Sequence, residues 1–305
     1  MKKCVLLMLA VLAVAAFVWF GNKGECTKKT ESVPVAQAQE DYAAMSLEEL
    51  KPLLETVTEG RLTVATSPDF APYEFYALDS EGNPNLAGFD LALAGYIADY
   101  LGLELEIIPM DFDGVIMELQ SGSVDIGMAG FTPDPVREAI MDFSKIYYQS
   151  GQSFICLKSN KDRYPDLAAT DRAGLEIGAQ TGSIQIDLAK KYSSNADIVP
   201  LAKVPEILAE VLSGKLDGAY IETPVAKSYQ TNYPELCVAL DVPCEIKGSA
   251  IGVTKNHPAL LAAINFAVTA ALDDGSMARF IREARELADG NTYEGLLGAD
   301  GKVHP

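Results

Sequence analysis

Two stretches of this chain, Ser121-Gly122-Ser123-Val124-Asp125 and Ser213-Gly214-Lys215-Leu216-Asp217, have the same pattern of residues. Each stretch joins a segment with the apolar spacing of a helix to an apolar run with the length of a strand. Glycine suits such a junction because it adopts the left-handed backbone conformation that ends many helices. The repeated pattern therefore predicts two rounds of the same helix-to-strand unit, one in each half of the chain.

The segments around the first stretch alternate between strand and helix. The predicted strands are residues 62–66, 105–110 and 124–129, and the predicted helices are residues 90–101 and 113–121. Upstream, Ser46 and Glu49 have the spacing of a capping box and predict a helix that continues to Arg61. Strands that alternate with helices form right-handed βαβ units, so we expect a largely parallel sheet.

The second round has the same alternation. Strands are predicted at residues 175–179 and 216–221, and helices at residues 183–192 and 204–212. Apolar strands at residues 151–157 and 249–253 lead into and out of this round, and a helical segment at residues 258–288 follows. We therefore expect an α/β fold of two lobes joined by two hinge strands. Lobe 1 is expected to contain residues 61–150 and 250–295, lobe 2 residues 151–249, and a short tail residues 296–305.

The N-terminus has the layout of an export signal. Lys2 and Lys3 precede an uncharged apolar run at residues 4–20, and a basic segment before an apolar one is typical of secretory signals. Residues 1–26 are expected to be a cleaved signal peptide or a membrane anchor, including a lipid anchor at Cys26. Residues 27–60 are expected to be a tether and a leading helix. Each alternative predicts that the rest of the chain lies outside the cytoplasm.

The composition excludes several classes of partner and site. The 305 residues contain 43 Asp and Glu but only 24 Lys and Arg, for a formal charge of −19. Such a surface repels phosphate backbones, so no nucleic-acid partner is expected. Two histidines and five cysteines leave little material for metal ligation or nucleophilic catalysis, so no metal, cofactor or catalytic residue is predicted.

Three of the cysteines lie in the second half of the chain. Cys156 stands in an apolar run and is expected to be a buried strand residue. Cys237 and Cys244 are close enough in sequence to pair in an oxidising compartment. The sequence leaves that pairing open.

Several motifs resemble a known family. They are residues 70–75 (Phe-Ala-Pro-Tyr-Glu-Phe), 88–91 (Gly-Phe-Asp-Leu), 109–114 (Pro-Met-Asp-Phe-Asp-Gly) and 129–132 (Ala-Gly-Phe-Thr). Together they resemble the polar amino-acid solute-binding proteins of ABC importers (bacterial extracellular solute-binding protein family 3), with glutamine-binding and lysine/arginine/ornithine-binding proteins as the nearest patterns. The resemblance extends from residue 62 to residue 288. It implies the type II periplasmic-binding-protein fold, in which two α/β lobes close on an amino acid.

The resemblance also implies a ligand site. Arg137 matches the family arginine that binds the ligand α-carboxylate, and a planar guanidinium suits that role. Glu222 stands where the family has an aspartate that pairs with the α-ammonium, and it is one methylene longer. Phe70 and Phe112 match rings that flank the ligand side chain. The complete set of predicted ligand-binding residues is Ser67, Phe70, Phe112, Gly130, Thr132, Arg137, Gln180, Ser183, Ile184 and Glu222.

Some positions depart from the family pattern. Ser67 replaces an aspartate of the glutamine and basic amino-acid binders, Gln180 replaces a lysine of the glutamine binders, and Ile221 replaces a histidine. These changes leave no formal charge opposite the ligand side chain, so we expect a neutral or weakly polar L-amino acid. If Asp69 or Asp113 turned inward, selectivity for a basic ligand would return.

The expected function is therefore substrate capture for transport. A monomer binds an L-amino acid and delivers it to the permease subunits of an ABC importer in the membrane. One alternative is an enzyme on the same fold that resembles cyclohexadienyl dehydratases, with Glu222 and Asp69 as acid–base candidates. Another is a ligand-sensing lobe for a membrane receptor. The simpler structural alternatives are a surface role for Arg137, core roles for Phe70 and Phe112, and helix caps at Ser183 and Glu222.

Overall fold

A computed structural model describes residues 42–79, 81–245 and 248–291. The strands in this part of the chain are β1 (Arg61–Thr66), β2 (Asp69–Phe70), β3 (Glu74–Leu78), β4 (Pro84–Ala87), β5 (Glu104–Pro109), β6 (Ile126–Gly127), β7 (Met141–Phe143), β8 (Gln152–Leu157), β9 (Glu176–Gln180), β10 (Asp197–Leu201), β11 (Gly218–Glu222), β12 (Leu236–Val242) and β13 (Gly252–Thr254). The α-helices are α1 (Leu47–Leu50), α2 (Phe89–Leu101), α3 (Phe112–Ser121), α4 (Pro135–Glu138), α5 (Ile184–Tyr192), α6 (Val204–Leu212), α7 (Thr223–Asn232), α8 (Pro258–Asp273) and α9 (Ser276–Asn291). Short 3₁₀ helices occur at Lys51–Leu53, Lys158–Arg163 and Leu167–Thr170.

The strands form two five-stranded sheets of matching topology. The first has the order β5-β1-β6-β13-β7 and the second the order β10-β9-β11-β8-β12, while β2, β3 and β4 form a small third sheet. In the first sheet β1 is parallel to β5 and β6, and β13 is antiparallel to β6 and β7. In the second, β9 is parallel to β10 and β11, and β8 is antiparallel to β11 and β12. The predicted largely parallel sheets are therefore mixed, because each sheet also takes up a strand that arrives from the other lobe.

The two repeated stretches of sequence occupy equivalent places in the two sheets. The glycine of each ends its helix or turn with a positive φ, 73° in the first and 77° in the second. Downstream, an Asp125 carboxylate oxygen accepts a hydrogen bond from the Thr63 N–H of β1 at 2.7 Å. An Asp217 carboxylate oxygen accepts one from the Glu176 N–H of β9 at 3.1 Å. Each aspartate thus joins its helix-to-strand junction to a neighbouring strand of its own sheet, β1 or β9, which confirms the predicted duplication.

The leading helix is shorter than predicted. Glu49 accepts hydrogen bonds from the Ser46 N–H at 2.8 Å and the Ser46 hydroxyl at 2.7 Å, so the predicted helix start is confirmed. The helix α1 ends at Leu50 and passes into the 3₁₀ turn Lys51–Leu53, well before Arg61. Pro52 explains the change, because proline has no N–H to continue an α-helical ladder. Among the strands, β6 is also shorter than the run predicted for it.

The chain passes between the two sheets twice. The first passage lies between β7 and β8, at residues 144–151, and the second between β12 and β13. Tyr148 and Ser249 form an isolated antiparallel bridge, so the two passages run side by side. The late helices α8 and α9 pack against α2, on the side of the first sheet. The helical segment after β13 therefore returns to the side of the first sheet, and its assignment to the first lobe stays a prediction.

Some predictions fall outside the described part of the chain. They concern the signal or anchor at residues 1–26, the tether up to residue 41 and the tail at residues 296–305. Within the residues that the structure describes, the helices are all too short or too polar to cross a bilayer.

Candidate functional site

The predicted ligand-binding residues lie at strand ends and helix starts of both sheets. They follow β1 (Ser67), end β2 (Phe70), begin α3 (Phe112), follow β6 (Gly130, Thr132), lie in α4 (Arg137), end β9 (Gln180), precede or begin α5 (Ser183, Ile184) or end β11 (Glu222). All of them except Gly130 and Ile184 are buried. In open α/β sheets ligands bind beyond the carboxyl ends of the strands. Hydrogen bonds made by these residues cross from one lobe to the other.

Arg137 is held by both lobes. Its helix α4 is capped by Asp134, whose carboxylate accepts the Arg137 N–H at 3.0 Å and lies 3.3 Å from Arg137 Nε. The guanidinium donates to the Thr132 carbonyl at 3.0 Å and, across the cleft, to the Gly182 carbonyl at 3.2 Å. Burial lowers the pKa of Arg137, but an arginine remains cationic at neutral pH. At 7% exposure it is a buried cleft cation, which overturns the surface-arginine alternative.

Two rings flank this guanidinium. Its central carbon lies 5.5 Å from the centroid of Phe112 and 5.4 Å from that of Phe131. A cation at this distance is attracted by the negative face of an aromatic ring. Phe112 was predicted to line the site. Phe131 was not predicted to line the site, although it stands between the predicted residues Gly130 and Thr132.

Glu222 is the buried carboxylate that faces the first lobe. It is 1% exposed, and its Oε1 accepts a hydrogen bond from the Tyr73 hydroxyl at 2.9 Å. The same hydroxyl accepts a bond from the Ser249 hydroxyl in the second passage, at 3.2 Å. Burial raises the pKa of Glu222 to about 8. Glu222 stands at the N-cap position of α7, yet its side chain makes no cap hydrogen bond, so the helix-cap alternative is wrong.

Gly130 lies between Phe70 and Glu222. Its φ is +57°, and a Cβ at this position would lie 2.8 Å from a carbon of the Phe70 ring and 3.5 Å from Glu222 Oε2. Both the backbone conformation and the close approach therefore require glycine here. Phe70 itself packs 5.4 Å from the ring of Tyr73, a residue that the sequence analysis did not assign to the site.

Asp69 turns inward and connects the lobes. One oxygen accepts from the Ser67 hydroxyl at 2.8 Å, and the other accepts from Gln180 Nε2 at 3.0 Å and from the Val204 N–H at 2.9 Å. Burial raises the pKa of Asp69 to about 6. The replacements at Ser67 and Gln180 are expected to leave no charge opposite the ligand side chain. The carboxylate of Asp69 lies between these two residues, so that expectation is wrong. Asp113, the other candidate, is exposed.

Ser183 holds the turn that enters α5. Its hydroxyl donates to the Gln180 carbonyl at 2.7 Å and makes no cap hydrogen bond to the helix, although the residue stands at the N-cap position. Ile184, the first residue of α5, is half-buried beside it. The turn therefore fixes where the Gln180 amide and the Gly182 carbonyl point, and both of these groups bond to the first lobe.

A family model described as bacterial extracellular solute-binding proteins, family 3, matches residues 62–283. The chain belongs to this family. Membership confirms the resemblance read from the motifs and places the protein among extracytoplasmic solute-binding proteins for polar amino acids.

Individual relatives of this solute-binding protein include binders and an enzyme. The arginine-binding extracellular protein ArtP of Bacillus subtilis is 32% identical over 200 residues, which cover 64% of this chain and 75% of ArtP. A cyclohexadienyl dehydratase of Pseudomonas aeruginosa is 27% identical over 196 residues, which cover 64% of this chain and 72% of the enzyme. The amino acid ABC transporter substrate-binding protein AbpA of Streptococcus pneumoniae, solved bound to L-arginine, matches with a TM-score of 0.73 and 31% identity over 80% of this chain and 100% of AbpA. This structural similarity confirms the predicted two-lobed α/β fold.

Two further buried carboxyl groups, those of Asp90 and Glu74, lie behind the site in this solute-binding protein. Asp90 is fully buried and accepts hydrogen bonds from the Tyr147 hydroxyl at 2.7 and 2.9 Å and from the Gly130 N–H at 3.2 Å. Glu74 is also fully buried, and neither of its oxygens receives a hydrogen bond. Burial, reinforced by the charge of Asp90, raises the pKa of Glu74 well above its ordinary value of 4.5. Burial beside Asp90 therefore favours the protonated, neutral form of Glu74, while Asp90 itself positions the Gly130 N–H.

This arrangement predicts opposite outcomes for two substitutions of Glu74. Glu74→Gln keeps the shape and the neutral charge of the protonated acid and should fold normally, whereas Glu74→Ala leaves a cavity and should lower the free energy of unfolding at pH 7 by about 2 kcal/mol or more. The unfolded carboxyl ionises above pH 4.5 while the folded one keeps its proton, so wild-type stability falls as pH rises. Glutamine removes that loss, and the advantage of Glu74→Gln over wild type should grow from pH 5 to pH 8.

Urea unfolding of each variant at four pH values measures this effect. The matched control is Glu81→Gln, the same change at an exposed carboxylate, which should leave the pH profile as it is in wild type. A Glu74→Gln variant that loses stability relative to wild type as pH rises would contradict the protonated-acid assignment.

Proposed function

We propose that this chain is the substrate-binding protein of an ABC importer, which captures an L-amino acid between its lobes and delivers it to permease subunits in the membrane. The observation that carries the proposal is that Arg137 and Glu222 both lie against one short segment of the first lobe, residues 130–132. Glu222 lies beside Gly130, and Arg137 binds the carbonyl of Thr132. Positions two residues apart are separated by at most about 7 Å. That separation suits the ammonium and carboxylate of one zwitterion.

Ligand binding is proposed to couple to closure of the lobes. Arg137 belongs to the first lobe and Glu222 to the second, so neither lobe alone satisfies both ends of an amino acid. A ligand that contacts both lobes favours the closed arrangement, because only there does it gain both sets of contacts. The bridged passages at Tyr148 and Ser249 are the segments about which we expect the lobes to rotate.

A thermal-shift screen of the 20 L-amino acids, followed by variants of Arg137, tests the proposal. A ligand at one hundred times its Kd stabilises the folded state by about 2.7 kcal/mol, which gives a clear shift. Arg137→Ala, and Arg137→Lys as the variant that keeps the charge, should weaken binding by about 2–5 kcal/mol because the ligand carboxylate loses its paired donors.

The matched control is Arg163→Ala, which removes an exposed arginine of the second lobe and should leave affinity unchanged. Circular dichroism checks that each variant folds. If no amino acid shifts the melting temperature, or if the Arg137 variants bind normally, the proposal is wrong.

We propose that the ligand has a basic side chain. The sequence predicts a basic ligand if Asp69 turns inward, and in the structure Asp69 does turn inward. Lys203, a cation of the opposite lobe, lies 3.8 Å from a different carboxylate, that of Asp111. A guanidinium or ammonium group from the ligand would therefore supply the charge that Asp69 lacks. The arginine named in ArtP, and bound in the AbpA structure, supports this choice.

Asp69→Asn separates the side-chain contact from the rest of the site. Asparagine can still accept from Gln180 and Val204 while its amide donates to Ser67, so the lobes should close as before. Arginine affinity should fall by about 2 kcal/mol or more, roughly 30-fold, and glutamine affinity should change much less. Calorimetry with both ligands measures the difference, with Asp113→Asn as the exposed control. Equal losses for the two ligands would refute the basic-ligand proposal.

The protonation of Glu222 predicts how affinity depends on pH. With a pKa of about 8, most of the carboxyl is neutral at pH 7. The ligand ammonium favours the ionised form, so the binding-competent fraction grows as pH rises, and affinity should increase by up to about tenfold per unit between pH 6 and pH 8. Calorimetry in buffers of different ionisation enthalpy should also show a proton released on binding. Glu222→Gln should bind weakly and with a flat profile, and a flat profile in wild type would contradict the assignment.

A second candidate function is an acid-catalysed elimination in the same cleft. The observation that favours it is again Glu222, because burial keeps this carboxyl protonated near neutral pH and a protonated carboxyl can act as a general acid. The similarity to a cyclohexadienyl dehydratase supports testing it. Incubation with prephenate and arogenate, with products read by mass spectrometry, distinguishes the two functions. Turnover that disappears in Glu222→Gln would favour the enzyme over the importer.

A further inference from the structure

Two cysteines of the second lobe lie directly opposite each other in the sheet. Cys156 of β8 and Cys237 of the edge strand β12 are register partners in an antiparallel pair. Their Sγ atoms are 3.9 Å apart although the residues are 81 positions apart in the chain. Both side chains are buried, at 0% and 6% exposure, and both are thiols in this structure.

The backbone at this position already suits a covalent link. Directly opposite residues of an antiparallel pair have Cα atoms about 4.5–5.5 Å apart, within the 4.4–6.8 Å that disulfides span. The sulfurs can therefore meet by rotation about χ1, without movement of either strand. Family membership places the chain outside the cytoplasm, where disulfides form and persist. We propose that Cys156 and Cys237 form a cross-strand disulfide in the exported protein.

The alternative left open by the sequence does not fit the fold. Cys237 lies near the start of β12, which runs in extended conformation to Val242. Five residues of strand cover roughly 15 Å, and the two further residues to Cys244 span at most about 7 Å. The Cα atoms of Cys237 and Cys244 therefore stay farther apart than the roughly 7 Å beyond which two cysteines cannot be bridged. The register of the sheet, rather than closeness in sequence, selects Cys156 as the partner.

The oxidation balances by exchange with an external disulfide, either of a thiol oxidoreductase or of a small molecule. The more exposed Cys237 thiolate attacks one external sulfur, and the first external thiolate leaves with a proton. The Cys156 thiolate then attacks Cys237 Sγ, which forms the protein disulfide and releases the second external thiol. Two protein thiols are oxidised, and one external disulfide is reduced to two thiols.

The timing of this reaction follows from the burial of the pair. Burial, with a smaller contribution from Cys237, raises the pKa of Cys156 to about 12, so the folded thiol is a poor nucleophile. The exchange is therefore expected before β12 closes over β8, while the chain folds after export. Once made, the link encloses β9, β10 and β11 and restricts the unfolded chain of the whole second sheet.

The test is a linkage map of the full chain purified from an oxidising periplasm. Unfolded protein is alkylated without reductant and digested with trypsin and then with a protease that cuts before aspartate. The second cut, at Asp241, separates Cys237 from Cys244, which otherwise share one tryptic peptide. We expect a peptide joining Cys156 to Cys237 and an alkylated Cys244.

Matched variants complete the test. Cys156→Ser should leave Cys237 alkylatable and lower the melting temperature, and reductant should lower that of wild type in the same way. Cys244→Ser should leave both the linkage and the melting temperature unchanged. Alkylation of both Cys156 and Cys237 in the periplasmic protein, or a link from Cys237 to Cys244, would overturn the proposal.

Discussion

The cleft depends on burying carboxyl groups with too few cations to pair with them. Asp69, Glu74, Asp90 and Glu222 are all shielded from water between or behind the lobes, and Arg137 is the only buried cation among the described residues. An unpaired buried charge is costly, so such groups take up protons or collect hydrogen bonds. Glu74 and Glu222 respond by protonation, and Asp69 and Asp90 by accepting bonds from hydroxyl and amide donors.

This imbalance explains how one site can hold the lobes together and still bind a ligand. Two of these groups have a substitute partner on the protein, the Tyr73 hydroxyl for Glu222 and the Gln180 amide for Asp69. Neutral donors stabilise a carboxylate less than a cation does. A cationic ligand group that replaces one of these neutral donors therefore binds the carboxylate more strongly than the donor did. An anionic ligand group would instead enter a cleft that already contains more acidic than basic groups.

The sequence predicted the parts of the fold that local pattern determines. The alternation of strands and helices, the glycine junctions and the start of α1 are all readable from spacing within about ten residues. The direction of β8 and β13 is not, because it depends on which lobe the chain has come from. Pro52 is a local signal for the early end of α1. A prediction made from the spacing of apolar residues alone does not take this proline into account.

The site divides in the same way. Arg137 and Glu222 could be found because they follow recognisable motifs, and the structure places both in the cleft. The orientation of Asp69 could not, since it depends on Gln180 and Val204, more than one hundred residues away. The contact of Tyr73 with Glu222 joins residues 149 positions apart. The direction of a side chain at such separations is set by the packing of the two lobes against each other. The spacing of residue types along the sequence therefore does not reveal it.

The double passage between the sheets also fixes an order of assembly during synthesis. The strand β13 lies inside the first sheet, between β6 and β7. It is made only after every strand of the second sheet, whose first and last strands β8 and β12 begin and end side by side at Gln152 and Val242. The second lobe is thus a continuous insertion that can complete itself as it emerges. The sheet of the first lobe therefore lacks β13, the strand between β6 and β7, until the inserted lobe has been translated.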